Sequence, residues 1–86
     1  MSYFLYVQLK DGRFGFLHKK MRTKNHKYSE AYSDWFELAY NEDARDDILS
    51  FISQSAAENY VKNLADIWDH NYDFPIVYWE IIESDN

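Results

Sequence analysis

The sequence predicts a small α+β domain: a mostly antiparallel sheet, built from an N-terminal hairpin and a C-terminal strand, with one main helix packed on one face. Three observations predict it. Two aromatic, apolar runs flank Asp11-Gly12, an apolar stripe at helical spacing runs from Ala57 to Trp68, and a β-branched, aromatic run spans Phe74 to Ile82. Strands joined by a short turn and a helix with one apolar face must bury those faces against each other. Eighty-six residues suit a single domain, 1–86, with little room for a second core.

The first element is the hairpin. Tyr3 to Leu9 reads YFLYVQL, Asp11-Gly12 follows, and Arg13 to His18 reads RFGFLH with Phe14 and Phe16 on one face. Two apolar runs across Asp-Gly are a strong short-range hairpin signal. Gly15 inside the second run predicts a bulge or a close backbone approach. Lys19 to Ser29 is polar and basic without periodicity, and reads as an exposed loop. Ala31 to Tyr40 fits helical spacing through Tyr32, Trp35, Phe36 and Ala39, yet its aromatic content and the hairpin's need for a sheet partner favour a third strand.

Asn41-Glu42-Asp43-Ala44 suits the start of a short helical turn, because Asn caps and acids favour the first turn. Ile48 to Ile52 is either a short strand or the end of that turn. Ala57, Tyr60, Val61, Leu64, Ile67 and Trp68 recur at steps of three and four, the spacing of one helix face. Ser53 or Ser55 would cap this helix, and Ser55 with Glu58 has capping-box spacing. Asp69, His70 and Asn71, with Pro75 beyond, would end it. The last run is apolar on both parities, which implies a central strand or an outer face covered by a partner. Glu83 to Asn86 reads as a frayed tail.

Charge is unevenly distributed. Residues 1–27 hold seven Lys/Arg and one acid, whereas residues 28–86 hold two Lys/Arg and fourteen acids, so the formal net charge of −6 divides into +6 and −12. Such polarity bears on partners more than on fold. No cysteine is present, which removes disulfides and thiolate metal sites. No apolar run approaches a membrane span, and the start MSYFLYVQLK lacks a basic region followed by an apolar one, so the expected location is cytoplasmic.

Chemistry-bearing motifs are sparse. Asp69-His70-x-x-Asp73, with His18 and His26, contains metal-ligand or proton-transfer residue types, but His and acids at a helix end are accounted for by solvation and capping. No nucleophile elbow or Gly-rich phosphate loop occurs, so neither an enzyme, a metal site nor a cofactor is expected. The segment 18–27 carries Lys19, Lys20, Arg22, Lys24 and Lys27, the composition of a phosphate-contacting loop, with Phe14 and Phe16 as an adjoining stacking platform. Against nucleic acid stands the acidic remainder. The same loop can instead neutralise acids of its own domain.

Glu42, Asp43, Asp46 and Asp47 place four carboxylates within six residues, with Asp34 and Glu37 close in sequence. A dense acidic surface can occupy the basic groove of a nucleic-acid-processing protein, carboxylates standing in for phosphates. The simpler reading is solubilising charge. Eight tyrosines and three tryptophans supply interface anchors as well as core.

The single compact domain, the acidic bias, the lack of a catalytic motif and the strand-Ser-helix stretch from Phe51 to Glu58 together resemble the small acidic anti-CRISPR and anti-restriction proteins of phages and mobile elements. The resemblance covers overall character and transfers no individual residue. It implies a non-enzymatic inhibitor acting in the host cytoplasm, with a partner that presents a basic surface. On the residues alone, the acidic set (Asp34, Glu37, Glu42, Asp43, Asp46, Asp47) is the expected working face. Nucleic-acid binding through the basic loop is the alternative, and docking of one copy's basic end on another's acidic end would give a homo-oligomer.

Overall fold

The computed structural model describes residues 2–23, 36–40, 45–68 and 74–84. Within them lie five strands, β1 (Ser2–Leu9), β2 (Phe14–Leu17), β3 (Leu38–Ala39), β4 (Ser50–Phe51) and β5 (Ile76–Ser84), and one α-helix, α1 (Gln54–Trp68). Two 3-10 turns, Lys19–Thr23 and Arg45–Asp47, connect them. The predicted small α+β fold is the observed one. Every strand pairing is antiparallel, and β1 is the hub. One of its edges is taken by β5 from Ser2↔Ser84 to Leu9↔Ile76. The other is shared between β4, at Tyr3 and Phe4, and β2, from Tyr6 to Gln8, with β3 outside β2.

The hairpin turn is built on Gly12. Gly12 N donates to Leu9 O at 3.1 Å and Leu9 N to Arg13 O at 2.8 Å, so three residues, Lys10 to Gly12, form the loop. Gly12 takes φ +96°, which completes a turn-plus-bulge hairpin; Asp11 stays at negative φ. Asp11 locks the loop by accepting from Arg13 N and Arg13 Nε, each at 3.0 Å. These bonds, the backbone one foremost, hold its carboxyl below the ordinary carboxylate range.

Gly15 resolves to the close approach. Its φ is +154°, and a Cβ there would meet Ala39 O at 2.9 Å. The absent side chain is what lets β3 lie against β2.

The main core lies between α1 and one face of the sheet. Leu5, Val7 and Leu9 from β1, Leu17 from β2 and Val61 and Leu64 from α1 are all buried in it. Each such side chain contributes roughly 1.5–3 kcal/mol on leaving water. Ala57, Val61 and Leu64 bear out the predicted helical stripe; the side chains of Ile67 and Trp68 lie outside the described residues. Ser53 is the cap: its Oγ accepts from Ala56 N at 3.1 Å, and the capping box through Ser55 does not form. Ser53→Ala should therefore cost about 1 kcal/mol in urea unfolding, while Ser55→Ala changes little.

Tyr60 sits at the margin of this core beside Phe51, with ring centroids 5.4 Å apart. Its Oη is buried and has no hydrogen-bond partner among the described residues. Burial raises its pKa to about 12 from the ordinary 10, against an opposing pull from Arg22. The folded chain then keeps a proton that the unfolded chain loses, so stability falls as pH rises from 10 to 12. Tyr60→Phe should add about 1 kcal/mol at neutral pH by removing an unsatisfied hydroxyl. It should also flatten that alkaline decline, measured as urea midpoints across the window.

Two sequence expectations are revised, and one left open is narrowed. Within the expected exposed loop 19–29, Lys19–Thr23 forms a 3-10 turn in which Lys19, Lys20 and Arg22 are exposed but Met21 is fully buried, and residues 24–29 lie outside the described residues. One apolar side chain in a basic run suffices to tie the segment to the core, where Met21 Sδ also accepts from Glu37 N at 3.4 Å. Glu83 and Ser84 do not fray, because they pair with Tyr3 and Ser2, and Ser84 is buried. Of the two forms open to the last run, the central strand finds no second partner among the described residues, where β5 pairs only with β1. The expected third strand over 31–40 is seen at Leu38–Ala39, and residues 31–35, like the proposed cap at 41–44 and the helix end at 69–71, lie outside the described residues.

Candidate binding surfaces

Of the acidic set, Asp46 and Asp47 form the second 3-10 turn and are exposed, whereas Glu37 is half-buried. Asp34, Glu42 and Asp43 lie outside the described residues, as do Lys24 and Lys27 of the basic set. Lys19, Lys20 and Arg22 share the first 3-10 turn.

The fold brings the two turns together. His18 bridges to Ile48, and Leu49 N donates to Leu17 O at 2.9 Å. The join places Lys19 Nζ 3.9 Å from Asp47 Oδ1. Both side chains are more than half exposed, so this ion pair contributes at most about 1 kcal/mol. Arg22 is held more firmly: Nη2 donates to Ser50 O at 2.8 Å, and the guanidinium lies 5.9 Å from the centroid of the Phe51 ring. The basic and acidic segments thus partly neutralise each other within one molecule. Between them opens a cleft of about 390 Å³, walled by Lys19, Arg22, Arg45 and Asp46 over Ile48 and Leu49.

A second surface is made by β5 and the sheet face opposite α1. A small cluster of Phe4, Ala39 and Ile48, with Phe16 against it, covers part of that face. The aromatic row continues outward: Phe16 stands edge-on to Tyr6 at 6.0 Å, and Tyr6 to Tyr78 at 6.5 Å. Phe14 on β2 and Tyr40, just beyond β3, are also exposed. On β5, Val77, Tyr78 and Trp79 are 60%, 46% and 37% exposed, an unusual run for consecutive large apolar residues.

Tyr78 Oη donates to Glu80 Oε1 at 2.7 Å, which raises the phenol's pKa and fixes the ring on the outer face. Glu80 and Glu83 are the charged residues of this strand. Of these residues, sequence reasoning picked out only Phe14 and Phe16, as a nucleic-acid platform; the sign that pointed to β5 was apolarity on both parities of its run.

Among the described residues, no group of three or more His, Cys, Asp or Glu gathers as a metal site, and no helix is long and apolar enough to cross a membrane. Compared with protein-family models, curated proteins and solved structures, the chain matches none. Fold class is therefore what the structure defines, a small α+β domain with a one-sided helix layer, and function rests on the two surfaces.

Proposed function

We propose that this chain is a non-enzymatic protein-binding module whose working surface is β5 with the adjoining aromatic face. The observation that carries the reading is the strand itself. Nine residues long, it has a second edge unpaired among the described residues and exposes Val77, Tyr78 and Trp79. An edge of this kind accepts a strand through main-chain hydrogen bonds, while exposed rings supply anchoring area.

The charges on β5 select the partner. A second copy paired antiparallel over the full strand would set Glu80 opposite its own counterpart, and like charges directly opposite destabilise a sheet. A segment rich in Lys or Arg gains from both Glu80 and Glu83. Nucleic-acid-processing and defence proteins carry such segments. Inhibition of one of them, the activity implied by the resemblance to phage anti-defence proteins, is the particular function this chemistry suits. The nucleic-acid alternative draws less support, because the acids distributed over residues 28–86 would repel a long polyanion.

The test compares immobilised wild-type chain with Tyr78→Ala, with Glu80→Lys/Glu83→Lys and with Glu42→Lys/Asp43→Lys/Asp46→Lys/Asp47→Lys. The probe is a heparin-binding protein fraction of a cell extract. Loss of a specific retained protein with the Glu80/Glu83 variant, and about a tenfold weakening with Tyr78→Ala, is expected. Loss confined to the four-acid variant would transfer the working face to residues 42–47, and identical retention by all four proteins would refute the reading.

A further inference from the structure

We propose that the cleft between the two 3-10 turns binds a small phosphate monoester. This site is separate from β5 and does not depend on the protein-binding reading. Three cations, Lys19, Arg22 and Arg45, line it against one acid, Asp46, with Asp47 3.9 Å from Lys19, in a chain whose formal net charge is −6. A local excess of positive charge on an acidic molecule needs a reason beyond solubility.

The cations are also placed unequally. Arg22 is oriented by its bond to Ser50 O and by the Phe51 ring, so part of its guanidinium is ordered before any ligand arrives. A planar fork held in place suits the oxygens of a phosphoryl group, and a pre-ordered donor loses less entropy on binding. Lys19 has only a long, exposed contact with Asp47 and can turn to an anion at small cost. Arg45 enters from the second turn, so the ligand would bridge two segments far apart in sequence.

Size and charge choose the class of ligand. About 390 Å³ exceeds what inorganic phosphate needs and falls in the ~300–1,000 Å³ range of small-molecule pockets. Ile48 and Leu49 also line the cleft but are only 4% and 2% exposed, so the apolar stems of Lys19, Arg22 and Arg45 are what the group carrying the phosphate would contact. A long polyanion would meet the acids distributed over the rest of the chain, whereas a compact monoester meets only the cleft.

Proton–nitrogen correlation spectra of the intact chain, titrated with a nucleoside monophosphate, inorganic phosphate and a single-stranded oligonucleotide, test the proposal. Saturable shifts confined to residues 18–22 and 45–50 are expected with the monophosphate, and weaker binding with inorganic phosphate. Arg45→Gln should weaken the monophosphate about tenfold without moving the urea midpoint, and Arg22→Lys should do so while keeping the charge. Absence of saturable shifts, or unchanged affinity in Arg45→Gln, would overturn the site. Equal affinity for inorganic phosphate would overturn the monoester assignment, and an oligonucleotide binding at least about tenfold tighter would replace it with nucleic acid.

Discussion

Gly15→Ala should lower stability by about 3 kcal/mol and the melting temperature by about 10–25 °C, as read by calorimetry and urea unfolding. Two effects add at this one position. A φ of +154° is a conformation that side-chain-bearing residues rarely adopt, and the new methyl would meet Ala39 O at 2.9 Å with the Tyr40 ring at 3.3 Å. The backbone oxygen cannot swing aside as a side-chain tip would, so β3 must shift away from β2. Gly12→Ala is the internal comparison. It shares the positive φ, at +96°, but nothing lies within 4 Å of the added carbon, so only backbone strain of about 1 kcal/mol applies. Equal losses at the two glycines would show that the approach of β3 contributes nothing.

Met21→Ala should cost about 3 kcal/mol, within the range for large-to-small changes at a filled core position. Met21 is fully buried among the core residues although it stands between Lys20 and Arg22. Met21→Leu, which nearly conserves volume, should cost less than about 1.5 kcal/mol. If the segment were a solvated loop, as its composition reads, Met21→Ala would be neutral. The same substitution would loosen the turn carrying Lys19 and Arg22, so ligand shifts in the cleft should weaken with it.

Most of the architecture was legible in the chain. The hairpin followed from Asp11-Gly12 between two apolar runs, α1 from the stripe through Ala57, Val61 and Leu64, and β5 from a β-branched, aromatic segment. These readings succeed because period and turn chemistry are local properties. Boundaries were less legible. Ser53 and Ser55 are both good caps by type, and only the position of the chain entering α1 decides that Ser53 accepts from Ala56 N. The extension of β5 to Ser84 depends on Ser2 and Tyr3 lying opposite, which no local pattern encodes.

The binding surfaces were legible as composition and not as placement. Opposite charges at 18–27 and 42–47 are plain in the sequence, but the meeting of their described parts, 18–23 and 45–47, requires Leu49 to bond Leu17 and Ile48 to bridge His18. The cleft walled by Lys19, Arg22 and Arg45 arises from that join. Likewise, the two-sided apolarity of β5 fitted a central strand or a covered outer face with equal force. A strand's position in a sheet is set by which partners reach each edge, and here β4 and β2 share the far edge of β1 while β5 takes the near one.

By itself, then, the sequence determined a small α+β class, a hairpin, a helix with one apolar face, and a charge polarity of +6 against −12. Tertiary structure alone decided that Met21 is core, that Gly15 admits β3, that the two charged turns face each other, and that β5, paired among the described residues only with β1, leaves Val77, Tyr78 and Trp79 exposed. The physical reason is the range of the forces involved. Side-chain period and turn geometry act over a few residues and are written consecutively, whereas burial, strand order and charge pairing depend on which distant segments share the space around β1.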